Sequence, residues 1–385
     1  MRSTVIPAVT SALVAAILAG CSSATPTGAT AADLEVGETD LSAVCPATVG
    51  IQTSWTPGTD NAYIYRLLGP DPMIDSATGT VSGPLYTEGE YAGVDVEIRA
   101  GGPAIGYQTV QSQLYTDDDI LLGFVPTDNQ IATFADQPVV SVMAPLNKSP
   151  LMIMWDPATY PDVHSIADLG RTDAVVRYYG DAPFMAYLVE SGQLRRDQVD
   201  GGYDGAPANF VASGGADAQQ GFVTSEPYQY EHEIPEWSKP VAYQMVSDAG
   251  YEYYEGTLAV RADRLDARSD CLKSLVPAVQ RAEAEFFADP EPTLDLIARA
   301  TNETSSAVPI TVEAARAGID AAVADGIVAD GPDGAIGSFD PARVASTLDV
   351  VAPLFEASGT TVADGLVAED LYTNDFIDPS VGLAP

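Results

Sequence analysis

Twice along the chain, short apolar runs alternate with stretches of helical periodicity, and the alternation breaks once, at Ala144-Pro145-Leu146-Asn147-Lys148-Ser149-Pro150. Before the break, strands are expected at Val49–Thr53, Val94–Ile98, Ile120–Val125 and Val139–Val142, with helices at Ala104–Tyr115 and after Thr127 as a cap. After it, strands are expected at Leu151–Trp155, Ala174–Arg177, Gly221–Thr224, Val241–Val246 and Thr257–Val260, followed by a mainly helical tail. Strand-helix alternation implies mostly parallel sheets covered by helices on both faces. One such unit inserted in another gives an α/β chain of two lobes, 45–145 with 255–385 and 146–254. They are joined by crossings near Pro145 and Tyr254, and the cleft between them is the natural ligand site.

The N-terminal stretch stands apart from this pattern. Arg2, the apolar run Val9–Ala19 and Leu18-Ala19-Gly20-Cys21 resemble a bacterial lipoprotein signal over residues 1–20, with the lipid on Cys21. The run is too short to span a bilayer, and the Ser/Thr/Ala/Pro/Gly-rich segment 21–44 reads as a flexible tether. With Cys21 lipidated, Cys45 and Cys271 remain as an even pair outside the reducing cytoplasm, which predicts a disulfide. The formal charge of -38 repels nucleic acid and anionic lipid.

Enzymatic signatures fail one by one. Gly101 and Gly106 have phosphate-loop spacing, but Tyr107 and Gln108 stand where Lys and Ser/Thr are required. His164 has no ligand partner nearby, and Glu231-His232-Glu233 points its side chains in alternate directions, so no metal site is expected. No serine sits in a Gly-x-Ser-x-Gly elbow, so a surface hydrolase lacks its nucleophile. Neither catalysis nor a cofactor is expected, and a structural adhesin would need repeats that the chain lacks.

Strand-to-helix corners are where open α/β sheets bind ligands. Trp55, Asn61 and Tyr63 follow the first strand, Tyr178, Tyr179 and Asp181 lie at a second-lobe corner, and Glu226 and Tyr228 lie at another. Pro227 biases Glu226 toward extended backbone at the start of a helix. Gly102, in a Gly-Gly turn, and Thr127, at a helix start, complete the candidate set, the turn adding backbone N–H donors. Aromatic faces opposed across a cleft beside one carboxylate suit a flat nitrogen-rich ring, by stacking and by hydrogen bonds to Glu226.

Four passages carry a resemblance over 48–377: Thr53-Ser54-Trp55-Thr56-Pro57, Val94-Asp95-Val96-Glu97-Ile98 before the Gly-Gly turn, Gly221–Pro227, and the tail Glu369–Ile377. In their order the chain resembles the substrate-binding proteins of bacterial ABC importers, in the branch of nitrate, sulfonate, taurine and thiamine-pyrimidine-precursor binders. The resemblance implies the bilobed periplasmic-binding-protein fold and an extracytoplasmic, lipid-anchored monomer that hands a small molecule to an ABC permease and its ATPase. It places an aminopyrimidine-like ring between Trp55 and Glu226; alkanesulfonate, taurine, nitrate or a riboflavin-like heterocycle are the alternatives. The related pyrimidine synthases carry a cysteine-rich iron motif that this sequence lacks, and the insertion 69–90 departs from the family pattern.

Overall fold

The computed structural model describes residues 34–180, 182–304 and 310–383, so the signal stretch, Cys21 and Asp181 lie outside the described residues. The chain enters a first sheet through β1 (Thr48–Gln52), β2 (Met73–Asp75), β3 (Thr80–Thr87), β4 (Glu90–Arg99), β5 (Ile120–Val125) and β6 (Val139–Met143). It then builds a second sheet from β7 (Leu151–Trp155), β8 (Val176–Arg177), β9 (Val199–Asp200), β10 (Ala218–Phe222) and β11 (Ala242–Met245), and returns to the first through β12 (Thr257–Arg261). Among the described residues the strand orders are β2-β3-β4-β1-β5-β12-β6 and β11-β7-β10-β8-β9.

Both sheets are mixed, where the alternation predicts mostly parallel ones. β1 lies parallel to β4 and β5, but β12 runs antiparallel to β5 and β6 because the chain re-enters from the other lobe. In the second sheet β10 is parallel to β8 and antiparallel to β7. The insertion 69–90 supplies β2 and β3, which extend the sheet beyond β4 in antiparallel register. Gly83 and Pro84 inside β3 hide it from a strand pattern, and the ladder slips register between Pro84 and Tyr86.

Helices α1 (Val110–Thr116) and α2 (Thr127–Thr133) belong to the first half, and α3 (Ile166–Leu169), α4 (Pro183–Glu190), α5 (Ala208–Ala212) and α6 (Glu226–His232) to the second. The helix expected over 104–115 is split into a 3-10 turn at Gly102–Ile105 and α1, with Gly106 and Tyr107 at positive φ between them. α7 (Leu265–Ala288), α8 (Glu291–Thr304), α9 (Val312–Ala324) and α10 (Pro341–Ser358) form the tail. Its packing is divided. Leu272, Leu275 and Val279 of α7 join the core of Val49, Ile51 and Ile98, whereas Val344 and Val351 of α10 join Ile153 and Trp155 of the second sheet and Phe184 of α4. The segment beyond residue 255, assigned from sequence to the first lobe, thus packs on both. Cys45 and Cys271, 226 residues apart, come to 2.01 Å between sulfurs, just before β1 and within α7.

Candidate functional site

The first-lobe corner is fixed by its backbone. Gln52, buried at the end of β1, donates from Nε2 to the carbonyls of Thr53, Arg99 and Ala100. The Thr53 hydroxyl donates to Trp55 O and Arg99 O, Gly101 N donates to Trp55 O, and Gly102 N to Ser54 O. No side chain fits this junction. A Cβ on Gly101 would lie 2.3 Å from Thr53 O, and one on Gly102, whose φ is +55°, would lie 2.7 Å from the Trp55 ring. The turn expected to offer N–H groups to a ligand therefore spends both on Ser54 and Trp55, and its function is to seat the indole.

Seated there, Trp55 remains 37% exposed and meets two other exposed rings, Tyr107 at 5.9 Å and Tyr179 at 6.4 Å between centroids. Tyr107 and Tyr179 are 6.2 Å apart, so the three form a triangle. Trp55 and Tyr107 come from the first lobe. Tyr179 comes from the second, where it bridges to Gly202 and its N–H donates to Gln220. A Cβ on Gly205, in the next second-lobe loop, would lie 3.3 Å from the indole. The rings thus meet where the two lobes come together. Tyr107 was passed over in the sequence because it appears only as a misfit in a failed phosphate loop; its φ of 60° is what turns the ring to the cleft edge.

Four acidic side chains are withdrawn from water. Glu226 opens α6, and its carboxylate folds back to accept a hydrogen bond from Phe222 N at 2.7 Å and from the Tyr203 hydroxyl at 3.5 Å. Burial pushes it up to about 7, the bonds to Phe222 and Tyr203 oppose the rise, and the charge of Asp60 adds to it. Asp60, half-buried in the 3-10 turn Thr59–Leu67, is pushed up by burial to about 6. Glu255, on the return crossing, is pushed up to about 7 by burial and by the charges of Asp128 and Asp60, while the Tyr253 hydroxyl donates to it. Asp128, buried, accepts from Tyr251 at 2.8 Å and is pushed up to about 6. Asp60, Tyr203 and Glu255 escaped the sequence reading because nothing local marks them; Tyr203 reaches Glu226 within the second lobe.

Several expected ligand contacts turn out to be scaffold. Asn61 is buried, with Nδ2 donating to Thr56 O and Oδ1 accepting from Gly58 N. Thr127 does not cap α2; it is the helix's first residue, and its hydroxyl and N–H pair with Tyr254 N and O, fastening α2 to the crossing. Tyr63 is 1% exposed, packs on Phe124 at 6.1 Å, and leaves its Oη without a partner. Tyr178 packs edge-on to Phe184, and Tyr228 lies against His232 and the first-lobe core. Of the expected set among the described residues, Trp55 and Tyr179 meet ring to ring, Gly102 seats the indole, and Glu226 folds back on Phe222 N.

Two grooves lie elsewhere. Of about 370 and 500 Å³, they lie beside the 69–90 hairpin, against α7 and α8, where Arg66 is paired with Glu285 at 3.3 Å. They gather no comparable set of groups. The lobes themselves are pressed together at Gly318 of α9, where an added Cβ would lie 2.1 Å from Thr224 O and 2.8 Å from the Thr59 hydroxyl.

Two sheets joined by crossings, with aromatic and carboxylate groups from both lobes facing one cleft, define the periplasmic-binding-protein class. The chain belongs to the NMT1/THI5-like family, whose model matches residues 90–293. Its fold is similar to the alkanesulfonate-binding protein SsuA from Xanthomonas axonopodis pv. citri bound to MOPS, at TM-score 0.55 and 15% identity, covering 85% of this chain and 99% of that one. It is also similar to the aliphatic sulphonate-binding protein SsuA from Escherichia coli, at TM-score 0.54 and 13% identity over 82% and 89% of the two chains. The nitrate-binding protein NrtA from Synechocystis gives TM-score 0.51 and 12% identity over 89% and 88%. These neighbours are named as binding proteins, not enzymes. No curated protein matches the sequence.

Proposed function

We propose that this chain is the extracytoplasmic solute-binding component of an ABC import system, anchored through Cys21, and that it carries a small planar nitrogen heterocycle to its permease. The observation that carries this reading is the triangle of Trp55, Tyr107 and Tyr179, drawn from both lobes. A flat ring that parts the lobes and replaces their ring-on-ring contacts stacks on the same faces, and Glu226 accepts hydrogen bonds from its N–H or amino groups. Ligand contacts made to both lobes favour the closed form, which is what an importer's permease must distinguish.

The family and the fold also fit a sulfonate, taurine or nitrate carrier, as the names of the neighbours illustrate. That reading requires a fixed positive group in the cleft. Lys148 is bound to Asp248 at 2.8 Å, and Arg177 is bound to Asp200 and Asp217, each at 2.7 Å. Both cations are therefore already paired with carboxylates.

A thermal-shift screen against aminopyrimidines, flavins, alkanesulfonates, taurine and nitrate tests the choice. A ligand at a hundredfold its dissociation constant adds about 2.7 kcal/mol to the folded state. Stabilisation by an aminopyrimidine that Glu226→Gln weakens by about tenfold or more, with the fold intact, supports the reading. Stabilisation by sulfonates alone overturns it.

A further inference from the structure

We infer that Arg343, near the start of α10, straps the two crossings of the hinge together and so sets how readily the lobes part, acting through the hinge rather than through the cleft. This rests on the two-lobed binding fold and not on which solute the cleft takes.

The chain passes between the sheets twice, over 144–150 from β6 to β7 and over 246–256 from β11 to β12. These crossings must absorb any rotation of one lobe against the other. The C-terminal tail fastens to both. On the first crossing, Ala144 N donates to Gly337 O at 2.7 Å, Lys148 N donates to Ile327 O at 3.2 Å, and Arg343 donates from Nη1 to Asn147 O. On the second, Asp340 N donates to the Tyr254 hydroxyl at 2.8 Å and the Thr347 hydroxyl donates to Glu252 O at 3.0 Å. The Arg343 guanidinium lies 4.6 Å from the centre of the Tyr254 ring. One head group therefore grips both crossings, by a hydrogen bond to the first and by its flat face on an aromatic ring of the second. Tyr254 is 1% exposed, so that contact is made out of water, where a cation over a ring counts most.

The helix that carries Arg343 makes the grip mechanical. α10 packs on α2 of the first lobe and on α4 of the second, and its Val344 and Val351 share a core with Ile131 of α2 and with Phe184 and Leu188 of α4. A helix seated on both lobes has to slip on one of them when they rotate, and packed side chains resist that slip. Asn147 and Tyr254 lie on different crossings, so a rotation that separates them loses half of the grip. Here the lobes meet, with Trp55 and Tyr179 ring to ring, and the strap holds that form.

Hydroxyl-radical footprinting read by mass spectrometry on the full-length, ligand-free protein tests this, because the Trp55 and Tyr179 rings shield each other only while the lobes meet. Arg343→Ala should raise the oxidation rate of both rings by about twofold or more, as expected when loss of a desolvated cation–ring contact moves the open-to-closed ratio by about tenfold. Trp155, 1% exposed in the second-lobe core, should keep its parent rate, which separates parting of the lobes from unfolding. Arg343→Lys, which keeps a charge for the ring but not the planar fork, should give an intermediate rate. Arg264→Ala, which removes an ion pair with Asp118 on the first lobe, should change neither ring. Unchanged rates at Trp55 and Tyr179 in Arg343→Ala overturn the inference, whatever the unfolding midpoint does, since Arg343 then only steadies α10. An equal rise in Arg264→Ala overturns it too. If Arg343→Ala does not fold, Arg343→Lys decides: a rise at both rings supports the strap, and no rise overturns it. The heterocycle reading stands or falls separately, by the ligand screen.

Discussion

The mouth, formed by the ring triangle, and the floor, formed by the four withdrawn carboxylates, are built on opposite principles. At the mouth, side chains carry no charge and are placed by backbone: Trp55 lies on a glycine pair that admits no Cβ, inside a lattice of main-chain hydrogen bonds. At the floor, the side chains are charged, and hydroxyls contributed by Tyr203, Tyr251 and Tyr253 do much of the positioning. The first arrangement sets which shapes can stack. The second sets which hydrogen-bond donors and charges are welcome, and it changes with protonation as the mouth does not.

The largest way to break this contrast is Gly101→Ala, which puts a methyl group 2.3 Å from the Thr53 carbonyl and forces the Trp55 corner to move. A loss of about 3 kcal/mol is expected from overpacking against fixed backbone, read by denaturant unfolding. An unchanged midpoint would show that the corner is looser than its hydrogen bonds imply.

Next in size is the response of the ligand-free protein to acid, which addresses the floor alone. Asp60 and Asp128 rise from 3.8 to about 6, and Glu226 and Glu255 rise from 4.5 to about 7. A carboxyl whose folded value lies above its unfolded value binds more protons when folded, so stability falls as pH rises between the two values. Between about pH 8 and about pH 5 the melting temperature should therefore climb, by the equivalent of about 2 kcal/mol once solvent screening of the half-buried groups is allowed for. A flat profile would mean that the floor carboxylates are as well solvated as free ones.

The smallest effect is expected from Tyr179→Ala. It removes one ring from the mouth and leaves Trp55 and Tyr107 in contact, so ring-ligand affinity should fall by about 1 kcal/mol, mainly through faster release. Equal affinity would place the ligand on the first-lobe rings alone.

How far this was legible from sequence follows the same divide. The alternation of strands and helices, and its break at 144–150, is local and gave the two-sheet plan. Trp55 and Glu226 stood out because each follows a strand at a corner; Trp55 meets Tyr179 of the other lobe, and Glu226 opens α6. Asn61, Tyr63 and Thr127 stood at similar corners but face inward, and a corner alone does not tell which way a side chain turns. Tyr107 depends on a left-handed backbone after a glycine-rich turn. Asp60, Tyr203 and Glu255 depend on contacts between segments far apart in the chain. The β2–β3 hairpin was hidden by glycine and proline within the strand, and the antiparallel entry of β12 by the fact that strand direction is a property of the return path.

Gly318 adds a consequence for how the two halves work as a machine. The helix carrying it comes from the C-terminal tail, yet it touches the rims of both lobes at once, at Thr59 and at Thr224. The bare backbone there acts as a shim of zero thickness. Any side chain at this position is a wedge, so the seating of this helix against both rims depends on a missing methyl group on a third element.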